Sequence, residues 1–298
     1  MGAVSAAVMD SITGKTKIYA ILGDPISQVG SPASFNSEFQ KRGHDGVLVP
    51  MKVPAGDLTQ ALAGLRTVGN LAGLIFTIPH KIVAAGLMDE LGPNGRLVGA
   101  INAARLEPGG KLVGDLFDGR GCVAAARAAG HNLRGRSVLQ VGAGGVGRAI
   151  AFAFAEAGIT QLSVSDLDGQ RASKLAADVA AAYPAVATEQ VSAPAQPSAH
   201  HDLIVNASPL GMSEGDPLPV PAGSLRANML VIDVVHTPAT IDTPTALLAA
   251  AADAGCPTQN GRAMHLAQIS EMADFFGATP EEVSTGGERG GAKGRGRL

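Results

Sequence analysis

Gly142, Gly144 and Gly147 stand at the spacing G-x-G-x-x-G. That spacing suits one kind of chemistry, the holding of a pyrophosphate against backbone N–H groups. The first glycine allows a tight turn, the second lets the backbone approach the anion, and the third lets a helix pack closely on a strand. The context agrees. Ser137 to Val141 is a short apolar run that reads as a strand, and Arg148 to Ala157 is an Ala- and Phe-rich run that reads as a helix. A helix N-terminus there would present unpaired N–H groups and a partial positive charge. Gly142, Gly144, Gly145, Val146 and Gly147 are therefore the candidate cofactor-binding residues of the loop. A second strand, Gln161 to Ser165, ends at Asp166. This places an acid about 20 residues past the glycines, where a dinucleotide ribose would offer its hydroxyls.

The elements around this unit alternate. Strands are expected at Lys17–Gly23, Val47–Met51, Gly73–Pro79, Leu97–Asn102 and Lys111–Gly114. Between them, Ser31 reads as the cap of a helix with Pro32 at its first position, and Leu58–Val68 as a second helix. A helix starts at Asp118 and runs through Ala129. Further helices are expected at Lys174–Ala182, Ala246–Ala254 and Met264–Phe276, and further strands at Asp202–Asn206 and Met229–Val235. The pattern is α/β. The last residues, from Ser284, are rich in Gly, Arg and Lys with no apolar period and read as a disordered tail.

The composition excludes several classes of function. The chain has 298 residues, of which 46% are hydrophobic, enough for two domains with sizeable cores. Aromatic residues are only 3% and Trp is absent, which argues against stacking platforms for single-stranded nucleic acid. A net charge of −3 attracts neither nucleic acid nor anionic membrane. No apolar run approaches the roughly 20 residues of a membrane span. The run Ala3 to Met9 lacks the basic flank of a secretion signal. Cys122 and Cys256 lie far apart and read as buried free thiols in a reducing cytoplasm. His44, His131, His200 and His201 lack metal-ligand spacing and read as surface histidines, so no metal is expected.

Seven short motifs in one order resemble the shikimate dehydrogenase family, which includes quinate/shikimate dehydrogenases. They are Tyr19–Ile26 with Ser31-Pro32; Thr77-Ile78-Pro79-His80-Lys81; Gly99-Ala100-Ile101-Asn102; Gly114 to Gly119; Gly142 to Arg148; Asn206 to Met212; and Gly261 to Gln268. The resemblance runs from about Tyr19 to Phe276. It implies two domains with a cleft between them: an α/β substrate domain over 1–117, a Rossmann domain over 118–258, a C-terminal helix over 259–283 packed back on the first domain, and the tail over 284–298. It implies hydride transfer between a nicotinamide cofactor and a cyclic hydroxy acid such as shikimate or quinate, in a monomer or homodimer. The alternative is a non-catalytic module that binds dinucleotide or cyclic acid.

The resemblance also assigns roles. Lys81 and Asp118 match the family's catalytic pair, although alone they would read as a surface charge and a helix-start acid. Ser31, Thr77, Asn102 and Gln268 match substrate-binding positions, and His236 stands where the family has a substrate-binding Tyr. Asn206, Gly211 and Met264 match residues beside the cofactor. Departures are equally plain. Val29 replaces one carboxylate-binding Ser, Ile75 replaces a hydroxyl-binding Asn, and Leu116-Phe117 replace Asn-Thr. Arg262 adds a cation. Substrate identity is thereby opened beyond shikimate. Members that use NADP carry a basic run after the second Rossmann strand, where this chain has Ser165-Asp166-Leu167-Asp168. Asp166 is therefore expected to bond the ribose hydroxyls of NAD and repel the 2′-phosphate of NADP, with Arg171 pointing along the next helix. NAD is the expected cofactor and NADP the disfavoured one.

Overall fold

In the computed structural model, residues 12–27, 29–235 and 243–279 are described. The expectations for His236 and for the tail from Ser284 lie outside them. Two six-stranded sheets make the scaffold. The first contains β1 (Lys17–Gly23), β2 (Gly46–Lys52), β3 (Leu71–Phe76), β4 (Glu90–Leu91), β5 (Ala103–Glu107) and β6 (Lys111–Asp115), in the order β2-β1-β3-β5-β6-β4. β1 pairs in parallel with β2 and β3, whereas β5 runs antiparallel to β3 and β6. The second contains β7 (Ser137–Val141), β8 (Gln161–Ser165), β9 (Ala187–Val191), β10 (Leu203–Asn206), β11 (Leu230–Asp233) and β12 (Thr258–Gln259). Its order, β12-β11-β10-β7-β8-β9, is wholly parallel. This is the doubly wound arrangement, and its strand order reverses between β7 and β10.

That reversal is where the glycine loop lies. Gly142 follows β7 at φ +103°, and a Cβ there would meet the backbone of Ala207 after β10. Helix Gly145–Glu156 starts directly from the loop with Gly144 as its N-cap and no side chain capping it. Gly147 sits so close to strand β7 that an added Cβ would collide with the Gly142 carbonyl, whereas a Cβ on Gly144 would meet nothing within 4 Å. The third glycine is thus required by packing. The second leaves a cradle open.

The sheets are tied together by helices. Asp118–Ala128 leads out of the first sheet and packs on helix Gly145–Glu156. There, a Cβ at Gly119 would run into the Ala149 carbonyl. The last helix, Gly261–Phe275, crosses the same region and returns to the first sheet. Its Ile269, Met272 and Ala273 join Tyr19, Ile21, Phe35, Phe39 and Ile75 in one buried cluster. Arg42 of helix Ser31–Arg42 bonds Asp274 and the Ser270 hydroxyl across that contact.

The structure corrects several local expectations. Leu97-Val98 end a helix, Pro93–Val98, rather than start a strand. Gly92 in extended geometry precedes it, Pro93 opens it, and Gly99 at φ +73° closes it. Pro at the first turn and a left-handed Gly at the end are ordinary helix boundaries. Gly30, not Ser31, is the N-cap of Ser31–Arg42. His44 and His201 are buried rather than at the surface. His44 bonds the Tyr19 hydroxyl and the Thr279 carbonyl. His201 Nδ1 accepts the Ser198 N–H, so its proton lies on Nε2 and is donated to Ser163 Oγ, which donates to Glu189. Cys122 and Cys256 are buried and unpaired, and burial pushes the Cys122 thiol up to about 12.

Two outcomes test this packing. Gly119→Ala and Gly147→Ala should each lose about 1–3 kcal/mol by overpacking, while Gly144→Ala should stay within about 0.5 kcal/mol of the parent. Chemical denaturation of the three variants checks the contrast. Burial, and secondarily His200, hold the His201 imidazole down at about 4 against 6.5 in the open chain. Between these values the unfolded chain takes up the proton and the native fold does not. Stability should therefore be complete above pH 6.5 and fall by up to about 3 kcal/mol towards pH 4. In His201→Gln the melting temperature should vary less over that window; parallel curves for the two proteins would refute the assignment.

Candidate active site in the interdomain cleft

Lys81 is the first residue of helix Lys81–Ala85, directly after the Thr77–His80 turn. The turn is held from both sides: Thr77 N–H donates to the Leu22 carbonyl, Asp24 N–H donates to the Ile78 carbonyl, and the buried His80 bonds the Val53 carbonyl at 2.7 Å. Ile101 N–H donates to the Lys81 carbonyl. The lysine stem therefore starts from a fixed backbone. Asp118 is the first residue of Asp118–Ala128, where the helix dipole favours an anion. It is 7% exposed. Lys81 Nζ lies 2.8 Å from Asp118 Oδ2, and Gln268 Nε2 donates to Asp118 Oδ1 at 2.7 Å. Three distant stretches of sequence thus meet at one carboxylate.

The pair opens on a cavity of about 200 Å³. Ser31, Thr77 and Asn102 line it together with Lys81, Asp118 and Gln268. Asn102 spends its Oδ1 on the Phe117 N–H, which fixes the residue before Asp118. Among the described residues, its Nδ2 and the hydroxyls of Ser31 and Thr77 have no protein partner. They remain available for ligand hydroxyls. His265 also lines this cavity, beside apolar Val29 and Ile75. The sequence reading missed His265. It stands three positions before Gln268 on one helix, and the i, i+3 relation puts both on one face.

The loops across the cleft are built differently. Gln140 Nε2 donates to the carbonyls of Gly142 and Gly147 and holds the glycine loop closed on itself. Asn206 is wholly buried. Its Nδ2 donates to Leu210 O and Asp233 Oδ1, while its Oδ1 accepts from Ser208, so it shapes the loop that ends at Gly211. Gly211 has φ +98°, and its N–H donates to Asp216. Burial raises the Asp233 carboxyl above its usual range, against the hydrogen bonds from Thr245, Val235 N–H and Asn206. Met264 is buried against the second sheet's core rather than in the small cavity. Arg148 turns away from the glycine loop to Asp178 and the Leu97 carbonyl. Arg262 is exposed.

The helix start without a capping side chain and the open space at Gly144 fit a dinucleotide pyrophosphate. A metal fits less well at the one cluster among the described residues with suitable ligand types, Glu189, His200 and His201. Both ring nitrogens of His201 are already committed to Ser198 and Ser163.

Comparison with known proteins agrees with this architecture. Residues 21–104 match the model of the shikimate dehydrogenase substrate binding domain. A shikimate dehydrogenase (NADP(+)) of Rubrobacter xylanophilus is 35% identical over 91% of this chain and 94% of its own. One from Symbiobacterium thermophilum is 36% identical over 84% and 85%. The crystal structure of shikimate 5-dehydrogenase from Listeria monocytogenes, in complex with shikimate and NAD, superposes with a TM-score of 0.80. It is 30% identical and covers 90% of this chain and 92% of that one.

These relatives overturn the expected preference for NAD with NADP disfavoured, since the curated ones are named for NADP(+). The structure shows why Asp166 misled. Its Oδ2 accepts the Ala143 N–H at 2.7 Å and its Oδ1 the Asp168 N–H at 2.9 Å, so the carboxylate braces the glycine loop from within. Arg171, expected to point along its helix, turns back and lies 3.8 Å from Asp166 and 3.7 Å from Asp168. A carboxylate bonded and countered in this way is a poor reporter of cofactor choice. With its two-sheet fold and relatives matched along most of their length, the chain belongs to the shikimate dehydrogenase family and is an oxidoreductase of that family.

Proposed function

We propose that this dehydrogenase interconverts a ring hydroxyl and the corresponding ketone of shikimate, quinate or a related cyclic hydroxy acid, with Lys81 and Asp118 as the proton-handling pair. The observation that carries the reading is the 2.8 Å contact of Lys81 Nζ with Asp118 Oδ2 at the wall of the small cavity. The cofactor is taken as NADP(H), after the named relatives. Gly142, Gly144, Gly145, Val146 and Gly147 would hold its pyrophosphate, beside the loop that Asn206 shapes towards Gly211. When bound, it supplies the hydride acceptor or donor.

The chain's own residues supply the rest. Lys81 gives one N–H to Asp118 and keeps two for the substrate oxygen. On oxidation the hydroxyl proton passes into the Lys81–Asp118 pair as the carbon–hydrogen bond breaks. On reduction the ammonium returns it to the carbonyl oxygen. Gln268 holds the second oxygen of Asp118, so the carboxylate keeps its direction towards Lys81. Thr77, Asn102 and Ser31 orient the ring through their unpartnered donors. We assign the reaction to the cytoplasm, in keeping with two buried thiols left unpaired.

Lys81→Ala and Asp118→Asn should each lower kcat by about 10²–10⁴-fold, with melting temperatures near that of the parent. Steady-state turnover of shikimate and quinate, followed by nicotinamide absorbance, reads this out. Near-parental kcat in both variants would exclude the pair. Gly144→Ala should raise the cofactor KM by about tenfold or more through a methyl group in the pyrophosphate cradle. Its kcat at saturating cofactor should hold, and an unchanged KM would remove the loop from cofactor binding.

A further inference from the structure

Arg148 is the charged side chain in the first turn of helix Gly145–Glu156. Its backbone N–H donates to the Gly144 carbonyl at 2.7 Å, which ties the residue to the glycine loop. Its side chain leaves that loop. The half-buried guanidinium lies 5.0 Å from the centre of the buried Phe152 ring and donates through Nη1 to Asp178 of helix Gly169–Ala182. Both partners belong to the second sheet's helices, and together they aim the other arm of the fork. That arm, Nη2, donates at 3.0 Å to the Leu97 carbonyl near the end of helix Pro93–Val98, which lies between β4 and β5 of the first sheet. The last carbonyls of a helix have no partner inside it, and a basic side chain satisfies one of them here. Leu97 and Val98 also pack on the second sheet's core.

The residues after Leu97 lead to the catalytic pair. Gly99 turns the chain into Ala100-Ile101-Asn102. Ile101 N–H donates to the Lys81 carbonyl at 2.9 Å, and Asn102 Oδ1 accepts the N–H of Phe117, the residue before Asp118. Asp118 has a second brace, because Gly119 packs directly on the carbonyl of Ala149, the residue after Arg148. The first turns of the glycine-loop helix thus reach Asp118 by helix contact and Lys81 through Leu97 to Asn102. Loss of the Arg148 side chain leaves the first brace and releases the second.

We propose that Arg148 is a positioning residue that sets Lys81 against Asp118, so that the helix at the dinucleotide loop also aligns the proton-handling pair. This rests on the function proposed above and deepens it at the same site. A planar guanidinium serves a carboxylate and a carbonyl at once, whereas an ammonium has no such fork. Displacing a reacting group by about 1 Å costs on the order of 100-fold in rate, so a small drift of the Lys81 backbone is enough.

The test uses the full chain with NADP(+) and shikimate or quinate, whichever the parent turns over faster. Arg148→Met keeps a stem to lie on Phe152 and should lower kcat about 10–100-fold. The cofactor Kd, from calorimetric titration, should stay within about threefold, because the guanidinium faces away from the loop. Arg148→Lys should regain part of the lost kcat. Asp178→Asn, which leaves the bond to Leu97, should stay within about threefold of the parent. A double-mutant cycle separates positioning from a general defect. In a Lys81→Ala background, Arg148→Met should change kcat less than about twofold, since the group it positions is gone. A defect in the fold would lower kcat equally in both backgrounds. If Arg148→Met does not fold, the same cycle with Arg148→Lys decides. Equal losses in the two backgrounds, or a raised cofactor Kd with kcat unchanged, would overturn this inference and leave the proposed function standing. Near-parental kcat in both Lys81→Ala and Asp118→Asn would overturn both.

Discussion

Everything in the cleft depends on how Asp118 is held. It is an almost buried carboxylate at a helix start, and its two oxygens are bonded by side chains from stretches 37 residues before it and 150 after it. Burying such a group is unfavourable unless each oxygen finds a donor. The chain around it is fixed with the same economy. Asp115 accepts the N–H groups of Gly95 and Leu116, and Asn102 accepts that of Phe117. The segment entering the helix is therefore strung on side-chain acceptors before the helix begins. Glycines do the rest. At Gly121 a Cβ would press on Gln268 Cβ at 2.7 Å and the Met264 carbonyl at 2.9 Å. The last helix can approach closely enough to deliver Gln268 only because that side chain is missing.

The glycine-loop side of the cleft solves a different problem. A pyrophosphate needs free backbone N–H groups, and those groups need a loop that does not collapse. Gln140, Asp166 and Asn206 each end a strand or lie near its end, and each bonds back into the nearest loop. Most of their polar atoms go to shaping backbone. The helix start at Gly145 is left without a capping side chain. Side chains that resemble ligand-binding groups are here the frame of the loop.

This division explains what the sequence disclosed and what it withheld. The glycine loop was legible because its residue types are dictated by local geometry: a left-handed turn at Gly142 and a helix–strand contact at Gly147. The strands with both faces covered were legible from their apolar runs. Leu97 to Asn102 misled because its apolar run outweighed Pro93 and Gly99, the residues that bound a helix there. β9 went unseen because Ala187–Val191 is an edge strand with largely exposed side chains, and it is specified by its pairing with β8. His44 and His201 were misplaced because their partners, Tyr19 and Ser163, lie 25 and 38 residues away. Asp166 was placed correctly at its strand end but assigned to a ligand, when two backbone N–H groups claim its oxygens. Lys81 and Asp118 carry no local signal of their pairing. Only a resemblance spread over several motifs brought them together.

The site also divides chemistry from recognition. Lys81 and Asp118 stand at the first positions of two helices, outside the hydrophobic clusters; Ile101 N–H holds the Lys81 carbonyl, and the side chains of Lys81 and Gln268 hold the Asp118 carboxylate. Ile21, Phe35, Ile75, Ile269 and Met272 face the ligand cavity and are at the same time the packing of the first sheet against the last helix. In the proposed reading, a change at Lys81 or Asp118 therefore alters the reaction and spares the fold. A change in the cavity wall alters the fit of the last helix as well, at about 1–3 kcal/mol for added bulk. It would also shift Gln268, and with Gln268 the direction of Asp118. In the proposed reading, recognition is built largely into this core, so a new substrate is reached most cheaply through residues at its margin: Val29, and Ser31 at the first position of helix Ser31–Arg42.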